Sequence, residues 1–252
     1  MAWGETQSQS FSARHDSRLS DEAEKTLHEL EGFRSQLAEQ FERVPGDISV
    51  VIHPSATHLS LAHPSLPVAR AAAAPASRRY YAGWFGWQEI HVLARSVRDA
   101  RASAVPGSLE ALRLTPLHEY AHVVVGANNG RLPPPFTPRR FWRYTSWAWL
   151  CEGAAVYFSG QAKFLRGAIA RRLHEGGRPR FPPSARDAFL LGGTLFGLLE
   201  REKGPRACVA LASRLHPKGQ RRAIEKAFLA SAAEVEEEWR RYLTELTELR
   251  AV

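Results

Sequence analysis

The segment TPLHEYAHVVVGANNG, Thr115 to Gly130, constrains the fold more than any other stretch of the chain. Thr115 and Pro116 are suited to opening a helix, and Gly126 with Asn-Asn-Gly to closing it. Between them Leu117, Ala121 and Val124 share one side, while His118, His122 and Val125 share another. A helix that is apolar on more than one side must be covered on more than one side. Such a helix is expected to be buried on those sides, and it carries two histidines and a glutamate in with it. Spacing alone leaves two readings open: an ordinary buried helix with some polar residues, or the wall of a metal site.

The rest of the chain supplies elements to cover that helix. Ser20 is a plausible cap for a helix with Leu27, Leu30, Phe33, Leu37 and Phe41 at helical spacing, stopped by Pro45-Gly46. DISVVIHP, ended by Pro54, reads as a strand, and so does GWQEIHVLARS, with Ile90 and Val92 on one face and Glu89, His91 and Leu93 on the other. Residues 55–79, rich in Ala, Pro and Ser, read as loop. So does RLPPPFTPRRFWRYTS, whose prolines remove backbone donors. Helix resumes at about Trp149. Ser184 and Asp187 form a capping pair for a helix through Glu200, and the last helix is SAAEVEEEWRRYLTELTEL. Strands and helices mix in the first half and helices alone fill the second, which predicts an α+β fold. One domain over residues 1–252 is expected, with a sheet-and-helix lobe over 1–130 and a helical lobe over 131–252.

Composition removes several function classes. With 44% hydrophobic residues among 252, a sizeable core is possible. No apolar run reaches the roughly 18 residues of a membrane span, and no signal peptide is visible, so a cytoplasmic protein with no membrane partner is expected. Cys151 and Cys208 are too far apart for a CxxC pair and read as reduced, half-buried thiols. The net charge of +8 comes with arginine pairs scattered along the chain and no nucleic-acid-binding motif, so a nucleic-acid partner is disfavoured. His53, His58 and His63 fall in a Pro-rich stretch and read as solvated; His91 reads as a half-exposed strand histidine. No P-loop, dinucleotide fingerprint or GxSxG elbow occurs.

Residues four apart on a helix have Cβ atoms about 5–6 Å apart, so His118 and His122 can offer ring nitrogens to one zinc ion at roughly 2.0–2.1 Å. Glu119, one step round, would stand beside that ion. A second stretch, WLCEGAAVYF, supplies a helical carboxylate, Glu152, followed by Gly153, Ala154 and Ala155, small residues that allow this helix to approach the histidine helix closely enough to place Glu152 as third ligand. Three protein ligands would leave one position open, the arrangement of a catalytic rather than a structural site.

LHEYAHVVV followed by WLCEGAAVY resembles the gluzincin metallopeptidases, most closely the peptidase MA-like domain, over nearly the whole chain. The resemblance implies a zincin-like fold, with a small mixed sheet and the active-site helix packed on a helical C-terminal lobe. It implies His118, His122 and Glu152 as zinc ligands and Glu119 as general base for cleavage of a peptide or protein substrate. It also makes Glu89 to Leu93 the edge strand that pairs with an extended substrate. The aromatic loop from Phe136 to Tyr144, with Trp84 and Trp87, would form subsites or lid packing. Phe189 stands where aminopeptidase-like members carry a tyrosine hydroxyl, leaving Tyr157, Tyr144, Tyr120 or the loop arginines as candidates for that role, none of them positioned by a motif. Val156 and Ser159 stand where relatives place an acidic outer partner. A zinc-holding peptide- or protein-binding module with weak or lost catalysis is the alternative expectation.

Overall fold

The computed structural model describes residues 2–248. Strands β1 (Trp3–Gln7) and β2 (Phe11–Asp16) precede helix α1 (Ser20–Ala38), which leads to β3 (Ile48–His53). Helices α2 (Ala56–Ala62) and α3 (Ser65–Ala72) come next, then β4 (Gly83–Phe85), β5 (Glu89–Leu93), α4 (Arg95–Asp99) and α5 (Ser108–Arg113). The long central helix is α6 (Thr115–Asn128). Beyond it lie α7 (Pro138–Ser146), α8 (Ala148–Phe158), α9 (Arg166–His174), α10 (Ala188–Lys203), α11 (Pro205–Ala212), α12 (Gln220–Phe228) and α13 (Ala232–Glu248). The architecture is α+β, with strands confined to the first half as the sequence predicts.

The five strands form one mixed sheet in the order β1-β2-β3-β5-β4. Pairs β1–β2 and β4–β5 are antiparallel; β2–β3 and β3–β5 are parallel. The expected edge strand, Glu89–Leu93, is therefore interior, and β4 is the edge instead. A three-residue strand leaves too short an alternation to be read from sequence. Strands β1 and β2 were not anticipated either, although β2 has a legible signal: Phe11, Ala13 and His15 are buried in alternation with Ser12 and Arg14.

Both stretches expected as loop contain helix, for one reason. Proline is tolerated in a first turn, where backbone N–H groups have no intrahelical partner. In α2 the Ser55 hydroxyl accepts from the His58 N–H (3.3 Å), and α3 takes Pro67 within its first turn. In α7 the Thr137 hydroxyl accepts from the Arg140 N–H (3.3 Å), with Pro138 as first helical residue. Expected caps elsewhere are absent. Ser20 and Thr115 lie inside their helices, with Leu19 and Leu114 at the cap positions. Gly126 is also internal to α6, and a Cβ there would collide with Pro133 and Pro134. Asp187 precedes α10 without capping it, because buried Arg172 takes its carboxylate through two bonds (2.5 and 3.1 Å). Cys151 and Cys208 are free and fully buried rather than half-buried.

One apolar core runs from Phe11 and Ile48 on the sheet, through Val124 on α6, to Phe196 and Trp239 in the helical part. The sheet face toward α6 carries Phe85, Ile90 and Val92. The opposite face carries a histidine cluster that corrects the solvated reading. His53 and His91 are buried, joined Nε2 to Nδ1 at 2.9 Å, and His63 packs edge-on against His91 and stacks on Trp84.

Burial, then mutual repulsion with His91, pushes both His53 and His63 down to about 4. Folding thus favours the neutral rings, and the unfolded chain binds more protons between pH about 6.5 and about 4. Stability is expected to be fully present above that window and lost as pH falls through it. His53→Gln should flatten the fall of the urea midpoint between pH 7 and 5. An unchanged profile in the variant would exclude the cluster as its cause.

Candidate metal centre

Helix α6 is buried from His118 to Gly126, between the sheet and α8. His118 and His122, one turn apart, aim their Nε2 atoms at the same point, 3.1 Å from each other. From α8 the Glu152 carboxylate meets both, with Oε2 3.5 Å from His118 Nε2 and Oε1 3.5 Å from His122 Nε2. All three residues are buried, and they form one potential metal-holding group. Tetrahedral coordination at roughly 2.0–2.1 Å requires ligand atoms about 3.3–3.4 Å apart, so the donor spacing fits an ion at the centre. Two imidazoles and a carboxylate are also a chemically suitable set for a borderline divalent cation.

The electrostatics suit coordination. Burial pushes the His122 imidazole down to about 3, which keeps the ring neutral and its lone pair available at pH 7. Burial opposes the charge on Glu152, but the His122 and His118 rings that face it and the Tyr144 hydroxyl outweigh it and hold the carboxyl below the ordinary carboxylate range. Glu119 differs. Burial first, and the Glu152 charge second, lift its carboxyl well above the ordinary range.

Glu119 leaves α6 toward the sheet edge and lies over Gly83 of β4. A Cβ at Gly83 would come 2.5 Å from Glu119 Oε1 and 2.7 Å from its Cγ. The glycine lets the edge-strand backbone and this carboxylate touch, a role that only the three-dimensional arrangement reveals. Next to it, Phe85 lies flat on the His122 ring (4.2 Å, 11°).

The expected third ligand and histidine pair thus come together, but Gly153 is not what brings the two helices close. Gly153 faces α10, where an added Cβ would sit 2.5 Å from the Gly192 carbonyl carbon. The small residue after Glu152 serves the α8–α10 contact rather than the α6–α8 one. Phe189 of α10 packs its ring 5.3 Å from that of His118, and His118 Nδ1 is buried with no hydrogen-bond partner among the described residues.

Of the three tyrosines considered from sequence, one reaches the site. The Tyr144 hydroxyl, on α7, donates to Glu152 Oε1. Tyr120 instead donates to the Pro45 carbonyl at 2.5 Å, and Tyr157 stacks on Phe196. Tyr144→Phe is expected to weaken metal retention about 10–100-fold, the usual cost of removing an outer partner of a ligand. Competition with a chelator of known affinity measures it, and unchanged retention would mean that the hydroxyl does not support the ligand. Trp84 stacks on Phe136 (5.5 Å), so those aromatics pack as a lid beside the site, while Trp87 is exposed. A separate groove of about 2020 Å³ is lined by Phe33, Leu117, Val156 and Leu190 and includes none of the four site residues. Compared with family models, curated proteins and solved structures, the chain matches none.

Proposed function

We propose that this chain is a zinc-dependent peptide hydrolase of gluzincin type, with a zincin-like fold, His118, His122 and Glu152 as ligands and Glu119 as general base. The observation that carries this reading is the convergence of two imidazole nitrogens and a carboxylate at 3.1–3.5 Å from one another, with a second carboxylate, Glu119, next to His118 on α6 and without a salt bridge among the described residues. Zinc bound there would supply Lewis acidity toward a carbonyl and lower the pKa of coordinated water to about 7.

The chain's own residues would do the rest. His118 and His122 bind through Nε2, and Glu152 adds a negative charge that the Tyr144 hydroxyl helps to orient. The environment of Glu119 disfavours its anion, which raises its affinity for a proton. In the proposed reaction Glu119 removes a proton from the attacking water and returns it to the leaving amine. The substrate main chain would add to β4, the edge strand beside Glu119, by strand pairing. Gly83 supports that geometry because no side chain separates the strand from the carboxylate. Phe85 and Phe136, whose rings lie 5.0 Å apart, would exclude water on that side.

A zinc-holding peptide- or protein-binding module is the second reading. Phe189 favours it, because its ring beside His118 offers no hydroxyl to a developing oxyanion. Metal content after purification tests what both readings share. Wild type is expected to retain stoichiometric zinc, and His118→Ala to lose about 10²-fold or more in affinity through loss of a direct ligand. Equal zinc contents in the two proteins would remove the metal site and both readings.

A further inference from the structure

Helix α7 turns its apolar side outward. None of its nine residues is buried, and Phe141 and Trp142 are 45% and 70% exposed. At 100° per residue, Phe141, Trp142 and Thr145 share one stripe, with exposed Arg139 beside Trp142 and half-buried Arg143 on the far side. Tyr144 points the other way, to Glu152. Arg140 is tied to the Pro134 carbonyl at 2.8 Å. Arg139 and Arg143 have no acidic partner among the described residues. Residues 130–151 hold four arginines and no Asp or Glu, so the segment that carries these aromatics is basic.

Two adjacent exposed aromatics beside Arg139, which has no acidic partner among the described residues, call for an occupant with an apolar interior and an anionic skin. Nine residues span only about 14 Å. That is small against the roughly 800 Å² per partner of a stable protein interface. A lipid surface needs much less, since short helices with aromatic residues on one face and basic residues beside them lie in the headgroup layer. We infer that α7 docks on an anionic phospholipid surface. Phe141 and Trp142 enter the headgroup–acyl boundary, while Arg139 meets the anionic headgroups. The expectation of no membrane partner followed from the missing apolar span, and none of the helices in the described residues is long and apolar enough to cross a membrane. A helix lying on the surface needs no span. This inference is independent of the metal reading.

Flotation of the full chain with vesicles tests it. Wild type is expected to float with phosphatidylcholine–phosphatidylserine vesicles, to float poorly with phosphatidylcholine alone, and to be released by salt. Arg139→Glu should weaken binding about fivefold or more, one basic contact being lost and a like charge added. The pair Phe141→Ser and Trp142→Ser should weaken it at least about tenfold. Should that double variant fail to fold, brominated anionic vesicles should quench tryptophan fluorescence more in wild type than in Trp142→Phe. The inference is overturned if wild type ignores anionic vesicles or if the quenching is equal. It is also overturned if the double variant floats undiminished, or if it abolishes self-association of wild type, which would make a second copy the occupant.

Discussion

Glu119→Gln is expected to lower peptide cleavage about 10²–10⁴-fold while leaving zinc content and folding unchanged, since that is the usual worth of a positioned general base. The substitution is nearly isosteric, so the close contact with Gly83 survives. It removes the one property in question, the capacity to take up a proton. Glu119 is not among the three converging ligand atoms, so the metal should stay. A library of unstructured peptides, cleaved by wild type and variant side by side and read by mass spectrometry, makes the comparison. Should both proteins keep zinc and both prove inert, the hydrolase reading fails and the binding-module reading replaces it. Should the variant lose zinc, Glu119 belongs to the ligand set and the assignment of roles is wrong.

Gly153→Ala is expected to destabilise the protein by about 3 kcal/mol, the upper end of the usual range for overpacking, because the added methyl meets backbone rather than a movable side chain. The atoms concerned are the carbonyl carbon, oxygen and Cα of Gly192, at 2.5, 2.6 and 2.9 Å from the added Cβ. Two helices held this closely can accept a methyl only by separating. With total stabilities of about 5–15 kcal/mol, such a loss takes a large fraction of the whole. Gly32→Ala within α1 is the matched control. Nothing lies within 4 Å of a Cβ there, so the change should be neutral or stabilise by up to about 1 kcal/mol. Urea unfolding of the two variants gives both signs in one experiment. Equal effects would show that the α8–α10 contact is looser than described. Because Glu152 precedes Gly153, the destabilised variant should also hold zinc more weakly.

How far the sequence could be read depended on the range of the interaction behind each feature. The His118–His122 pair was legible because its spacing is a property of one helix. Glu152 was legible from its own local context, a carboxylate in a run of small residues. Thr137-Pro138 is the same kind of signal as Thr115-Pro116, and it does open α7, but the surrounding prolines obscured it. Residues 55–79 were misread for a similar reason, since composition marks breakers without saying that a proline has come to rest in a first turn. The histidines at 53, 63 and 91 could not be grouped from sequence, because β3, the segment after α2, and β5 meet only in the folded sheet.

Sequence alone determined that α6 would be covered on more than one face, that strands would stay in the first half, and which four side chains carry the candidate chemistry. These follow from short-range periodicity and from what each residue type can donate, accept or ligate. Tertiary structure alone decided that β4 rather than β5 is the edge, that Gly153 serves α10, that Tyr144 rather than Tyr120 or Tyr157 reaches Glu152, and that Phe141 and Trp142 face outward. Each of these depends on which surfaces meet after distant segments pack. That outcome is set by burial and steric fit summed over the whole core, and no local window of the chain contains it.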